Sequence, residues 1–117
     1  LKSIQIAEND NSDLFYFLED DYIHTSEAIS EMLFTYEKIS SQLSKELFLC
    51  PADHPYLYST VDNTKLFFGN MRHWRTINES LITFLTSKKM IKKYLLLMKN
   101  QMMKIFQKLI KFLISQI

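Results

Sequence analysis

The residues of this chain that could support chemistry are few. Cys50, Asp53 and His54 stand close together around two prolines, and all three side chains are potential zinc ligands. A closed zinc site needs four convergent ligands, but the chain has no second cysteine, and His24 and His73 are remote in sequence. We therefore expect Cys50 to be a small buried apolar residue, and we predict no metal, no cofactor and no enzymatic activity.

A second candidate is the stretch from Met71 to Arg75, which holds both arginines and the only tryptophan of the chain. An arginine beside a tryptophan can grip phosphate or stack on a base, and both residue types are enriched at binding hot spots. The competing interpretation is that Trp74 anchors the core while its neighbours point outward. The candidate partner-binding residues in this stretch are Arg72, His73, Trp74 and Arg75.

The third candidate is the basic stretch from Ser87 to Ile117, which contains eight lysines and no acidic residue. Its apolar side chains fall on one broad face of a helical wheel, which predicts a long C-terminal amphipathic helix with a bend near Asn100. Such a helix can be a membrane-surface anchor or a calmodulin-type target, but we favour a core helix with a solvated lysine edge and expect no contact with a membrane surface. The lysines that we predict to contact a partner are Lys88, Lys89, Lys92 and Lys93.

The distribution of charge is uneven, although the net charge is only +1. Residues 1–59 hold eleven acidic and three basic residues, whereas residues 60–117 hold two acidic and eleven basic residues. The two halves either pack together and neutralise each other, or leave a basic face exposed for an acidic partner.

Composition favours an all-α fold. The chain has one glycine and two prolines, too few for the turns of a β-rich protein, and it is rich in leucine, lysine, glutamate and methionine. We predict a single domain over residues 1–117, a compact bundle of five or six helices, which could be a fragment of a longer chain. A single cysteine indicates a reducing, intracellular location in the cytoplasm or nucleus, and no apolar run is long enough to span a membrane.

Local signals place the remaining helices. We predict a loose arm over 1–12, a short helix over 14–18 and a helix over 26–49 that Thr25 caps and Pro51 ends. Two short helices follow within 56–68, and Gly69 in a left-handed conformation ends the second. A capping box of Thr76 and Glu79 begins a further helix, which buries Phe84 and Leu85.

The segment 14–23, with its apolar run followed by Glu19-Asp20-Asp21, resembles the first helix of poxviral Bcl-2-like proteins. Glu27, Ile29 and Tyr36 extend the resemblance into the second helix. The resemblance covers about a quarter of the chain and implies a helical bundle that blocks host signalling by binding partner proteins.

These observations favour a non-enzymatic module that presents a groove or a charged face to a protein partner, or that forms a homo- or hetero-oligomer. The alternative is a nucleic-acid-binding helical domain that uses the basic C-terminal half.

Overall fold

The computed structural model describes residues 2–20, 23–52, 64–77, 83–99 and 112–115. In chain order these residues form α1 (Lys2–Asn9), β1 (Leu14–Phe17), α2 (Ala28–Leu43), β2 (Phe48–Cys50), β3 (Leu66–Phe68), β4 (His73–Ile77), β5 (Phe84–Ser87), α3 (Lys88–Lys99) and β6 (Phe112–Ser115).

The six described strands form one sheet in the order β1-β5-β2-β6-β4-β3. Neighbouring strands run antiparallel except β2 and β6, which are parallel. The predicted all-α helical bundle is therefore wrong, and the fold is mixed α/β. Strands of three to five residues are too short to show a clear period in sequence, and their stability comes from pairing with partners far along the chain.

Helix α2 packs on one face of the sheet, and α1 and α3 contribute to the packing on the other. Successive side chains of β1 point to opposite faces of the sheet. Leu14 and Tyr16 pack with α2, whereas Phe15 and Phe17 pack with α1 and α3. The buried residues of the first cluster are Met32, Tyr36, Ile39, Leu47, Leu49, Trp74 and Leu85, and those of the second are Ala7, Ile91 and Leu95.

The helix predicted over residues 26–49 is present but shorter. Its N-cap position is Glu27, which makes no side-chain capping bond, so Thr25 is not the cap. The helix ends at Leu43 because Ser44 adopts a left-handed backbone, with φ of 51°. The following residues form β2, in which all three side chains are buried, so the predicted continuation to residue 49 is wrong.

The single long C-terminal helix is also wrong. Ser87 is the last residue of β5, and α3 covers only Lys88–Lys99. The predicted apolar face is confirmed at Ile91 and Leu95, which are buried. Asn100, where we predicted a bend, lies outside the described residues, and residues 112–115 form the central strand β6.

Both predictions for the N-terminal residues 1–18 are wrong. The predicted loose arm contains α1, and the predicted helix over 14–18 is the strand β1, paired antiparallel with β5. Because β1 occupies the segment that resembles the first helix of the Bcl-2-like proteins, the fold implied by that resemblance is wrong. Aromatic residues at three of the four sites, 15 to 17, suit a pleated surface.

The remaining helix predictions fall on strands or outside the described residues. Thr76 lies in β4, and Phe84 and Leu85 lie in β5, so the capping box does not start a helix that buries them. The second short helix predicted before Gly69 is replaced by β3, and Gly69 has no positive φ. Residues 53–63 and 78–82 lie outside the described part of the chain.

Candidate binding groove beside helix α2

A buried carboxylate joins α2 to the turn between β3 and β4. The side chain of Glu31, only 3% exposed, accepts hydrogen bonds from the turn and from its own helix. Its donors are the main-chain N–H groups of Asn70 (3.1 Å), Met71 (2.7 Å) and Arg72 (3.3 Å), the indole N–H of Trp74 (3.1 Å) and the hydroxyl of Thr35 (3.3 Å). Glu31 therefore positions the β3–β4 hairpin on the helix.

The protonation of Glu31 follows from this arrangement. Burial raises the pKa of the carboxyl group, but the hydrogen bonds from Met71, Trp74, Asn70 and Thr35 outweigh burial, so its pKa lies below the ordinary value of 4.5. Both carboxylate oxygens are engaged with donors that hold them in place. The geometry suits a structural anion better than a general base, which needs a free lone pair directed at a substrate.

The only glycine of the chain lies against this carboxylate. A Cβ atom at Gly69 would overlap the Glu31 carboxylate, the Thr35 hydroxyl and the Trp74 indole nitrogen. Glycine is required here because of close approach, and the left-handed conformation that the sequence suggested plays no part.

A lysine makes the converse contact at the other end of the sheet. The ammonium group of Lys88 donates to the main-chain carbonyl groups of Ala7 (2.8 Å), Glu8 (2.6 Å) and Asp10, at the C-terminal end of α1. It also lies 5.4 Å from the centroid of the Phe15 ring. A cation is favoured at this end of a helix, where carbonyl groups lack partners.

A groove of about 510 Å³ runs along the side of α2 and includes Lys88 in its lining. Its walls come from the middle of α2, the segment between α2 and β2, the start of β1 and the junction of β5 with α3. The lining residues are Asp13, Leu14, Leu33, Tyr36, Glu37, Ser40, Glu46, Ser87, Lys88 and Lys89. Apolar and charged side chains of both signs therefore border the same concavity.

Hydrogen bonds fix the wall of the groove at Tyr36. Its hydroxyl donates to Glu46 at 2.6 Å and accepts from the Leu47 main-chain N–H at 3.2 Å. Burial and the bond to Glu46 raise the pKa of Tyr36 to about 12. The other oxygen of Glu46 lies 3.9 Å from the largely exposed ammonium of Lys89. The rim is thus charged but the tyrosine remains neutral at ordinary pH.

The α2 surface next to the groove carries exposed apolar side chains. Ile29, Leu33 and Phe34 are 49%, 44% and 46% exposed, and Leu33 itself lines the groove. Ile29 lies one helical turn before Leu33, so the two side chains form a continuous apolar strip that leads into the concavity.

A smaller cavity of about 150 Å³ lies at the N-terminal end of α2. Arg72, Trp74 and Glu31 contribute to its lining, together with His24, whose ring nitrogen lies 2.6 Å from the Tyr16 hydroxyl. Its volume is below the roughly 300–1,000 Å³ typical of small-molecule pockets. We therefore place the candidate site in the larger groove.

The predicted partner-binding residues lie in two separate regions. On β4, Trp74 is fully buried, Arg75 is buried and His73 is exposed, and Arg72, just before the strand, is half-buried. On α3, Lys88 is half-buried, and Lys89, Lys92 and Lys93 are exposed. β2 and β6 separate β4 from β5, so about 14 Å lies between these strands. Of the eight residues, Lys88 and Lys89 line the groove.

Sequence reasoning missed Leu33, Glu37, Glu46 and the role of Glu31. The signal for Glu31 was a single acidic residue on the otherwise apolar face that contains Met32 and Thr35. The groove residues carried no comparable signal, because they come from four elements that only the sheet brings together.

Cys50 is buried, as predicted, within a small cluster with Ile77. Its predicted neighbours Asp53 and His54 lie outside the described residues. Across the described ranges, no three histidine, cysteine, aspartate or glutamate side chains are grouped so that they could hold a metal ion. The described helices likewise include none with the length and apolar character needed to cross a membrane.

An ion pair joins the acidic and basic halves of the chain. The ammonium nitrogen of Lys89 lies 3.9 Å from a carboxylate oxygen of Glu46. Lys88 also joins the halves, but through the carbonyl groups of α1.

Comparison of the chain with known protein families, with curated protein sequences and with solved structures finds no match.

Proposed function

We propose that this protein is a non-enzymatic binding module that accepts an apolar side chain of a protein partner in the groove beside α2. The observation that carries the proposal is the exposed strip of Ile29 and Leu33 leading into a concavity of about 510 Å³. Exposed apolar patches bordered by polar groups are typical of protein-binding sites.

The chemistry of the groove supports a peptide or helix as the bound element. Leu14 and Leu33 offer apolar contact, while Asp13, Glu37 and Lys89 at the border can orient a partner with charges of either sign. Partner helices bind such grooves through apolar side chains spaced three and four residues apart.

Nucleic-acid binding receives less support from the arrangement of the bases. Arg75 is buried, Lys88 is engaged with the carbonyl groups of α1 and the exposed Lys89 lies 3.9 Å from the Glu46 carboxylate, whereas Lys92 and Lys93 are exposed farther along α3. A non-specific nucleic-acid site needs several cations that contact phosphates together. Affinity for a generic oligonucleotide that falls steeply with salt, and that is lost on charge reversal at both lysines, would favour this alternative.

A photo-crosslinking residue placed at Leu33 tests the groove directly. We expect Leu33→benzoylphenylalanine to give discrete covalent adducts with a protein in the native cell, because the side chain lies at the entrance of the groove. The adducts should be lost when Glu37→Arg and Lys89→Glu are added, since these substitutions reverse the charges of the border.

The matched control is Ile6→benzoylphenylalanine on α1. Ile6 is apolar and 66% exposed, more so than Leu33, but lies away from the groove. The same set of adducts from both positions, or none from Leu33, would contradict the proposal. Mass spectrometry of the adducts identifies the partner.

A further inference from the structure

Strand β3 forms one edge of the sheet among the described residues. β3 is last in the strand order, and within the described ranges it pairs with β4 alone. The N–H of Gly69 donates to the carbonyl of Arg72 at 2.9 Å, and in an antiparallel ladder such pairs alternate, so Phe67 also faces β4. The main-chain N–H and C=O groups of Leu66 and Phe68 therefore point away from β4, toward this edge.

The side chains at this edge are apolar and exposed. Leu66 is 64% exposed and Phe68 is 70% exposed, and the two lie on the same face because they are two residues apart. Proteins usually protect an open edge with a charge, a proline or a bulge, yet Leu66–Phe68 contains none of these. The edge has the properties of a strand that pairs with another strand.

We propose that a second copy of this chain pairs with β3, antiparallel, around a two-fold axis at Phe67. In that register Leu66 lies opposite Phe68 of the second copy, and Phe68 lies opposite Leu66 of the second copy. Each of these pairs exchanges two main-chain hydrogen bonds, which gives four across the interface and extends the sheet from one copy into the other.

The register is self-complementary in its side chains. Each exposed Leu66 contacts an exposed Phe68 from the other copy, an aliphatic–aromatic pair of the kind that stabilises antiparallel strands. Lys65 lies opposite Gly69 of the second copy, so the two lysines do not oppose each other. A shift by two residues would instead place Leu66 opposite Asn70 or Phe68 opposite Thr64. Apolar complementarity therefore selects the second copy, paired at Phe67, as the occupant.

The test is disulfide trapping between two different single-cysteine substitutions. Directly opposite residues in the proposed pairs have Cα atoms about 5.5 Å apart, within the range for a disulfide. An equal mixture of Leu66→Cys and Phe68→Cys should form a disulfide-linked dimer under mild oxidation. Either variant alone should form much less, because its cysteines in two copies are diagonal to each other, beyond about 7 Å. Buried Cys50 is common to all samples.

Sedimentation of the unmodified protein gives the second measurement. We expect a dimer that Phe68→Lys converts to a monomer, while Ile6→Lys, at a site 66% exposed on α1, leaves the dimer unchanged. Trp74 fluorescence checks that both variants are folded. At about 1 mM protein, even a dimer with a dissociation constant near 1 mM would be populated. A protein that is still monomeric at that concentration therefore overturns the proposal. Equal trapping in the mixture and in the single variants also overturns it, as does a dimer that Phe68→Lys leaves intact.

Discussion

Glu31 and Lys88 make the same kind of contact with opposite charge. Glu31 accepts hydrogen bonds from the N–H groups of a turn, and Lys88 donates hydrogen bonds to the carbonyl groups at the end of a helix. Glu31 is buried and Lys88 is half-buried. In both cases one side-chain charge binds several main-chain groups of the same polarity, in a turn or at the end of a helix.

The difference between the two lies in solvent access. Water has partial access to the Lys88 contact at the end of α1, because Asp10 is exposed and Glu8 is half-buried, although Ala7 is buried. Water has less access to the interior formed by Glu31, Thr35 and Trp74, all buried. Loss of the carboxylate would therefore leave buried donors unsatisfied, whereas loss of the ammonium would expose carbonyl groups to solvent.

The largest expected effect is that of Glu31→Gln. The amide oxygen can take the place of the carboxylate oxygen that accepts from Asn70, Arg72, Trp74 and Thr35, but the NH₂ group then faces the Met71 N–H. We therefore expect a loss of about 2–3 kcal/mol in the free energy of unfolding. Urea unfolding followed by Trp74 fluorescence measures the loss. Trp74 is the only tryptophan and contacts the substituted group directly.

Glu37→Gln is the matched control for Glu31→Gln, because Glu37 is an exposed glutamate on the same helix. We expect this substitution to change the free energy of unfolding by less than about 0.5 kcal/mol. Equal losses in the two variants would mean that the turn does not depend on the carboxylate.

The second effect is a dependence on acid pH. The pKa of Glu31 is lower in the folded than in the unfolded protein, where it is close to 4.5, so the unfolded state binds the proton more tightly. The stability contributed by Glu31 is thus complete above about pH 4.5 and is lost as the pH falls through the folded pKa. Unfolding measured from about pH 6 to pH 3 should show a shallower decline for Glu31→Gln than for the unmodified protein. Parallel curves would contradict this assignment.

The smallest effect belongs to Lys88→Met, which keeps the aliphatic stem and removes the ammonium group. We expect a loss of about 1 kcal/mol, because solvent can partly replace the hydrogen bonds. Hydrogen exchange should show faster opening of α1 with little change in the β3–β4 turn. Lys92→Met, at an exposed site on α3, is the control and should leave both regions unchanged. Faster exchange throughout the chain would show that Lys88 supports more than α1.

The sequence predicted α2 with a later end, and it predicted α3 as the first part of a longer C-terminal helix. α2 and α3 were expected from apolar residues three and four apart, and Met32, Ile39 and Ile91 are buried as that spacing requires. The sheet was not predicted, because its strands are short and pair with strands distant in sequence. The segments of β3 and β4 were assigned to the ends of predicted helices. The low number of glycines wrongly favoured an all-α fold, because the β3–β4 turn needs only one glycine, Gly69.

The candidate site was predicted only in part. The clustering of arginine and tryptophan indicated Arg72 and Trp74 as binding residues. The indole N–H of Trp74 instead donates to the Glu31 carboxylate, which is a structural contact. Lys88 and Lys89 do line the groove, yet Leu33 and Glu46 belong to different elements, and only the sheet brings them together with the lysines. A lone acid on an apolar helix face, as at Glu31, and an isolated glycine were the informative signals.

Amide hydrogen exchange in the β3–β4 turn shows directly whether Glu31 holds the hairpin on α2. We predict that the N–H groups of Asn70, Met71 and Arg72 and the indole N–H of Trp74 are protected in the unmodified protein. In Glu31→Gln all four should exchange faster together. Rapid exchange of these groups in the unmodified protein, or protection that survives the substitution, would contradict the claim that one buried carboxylate holds the hairpin on α2.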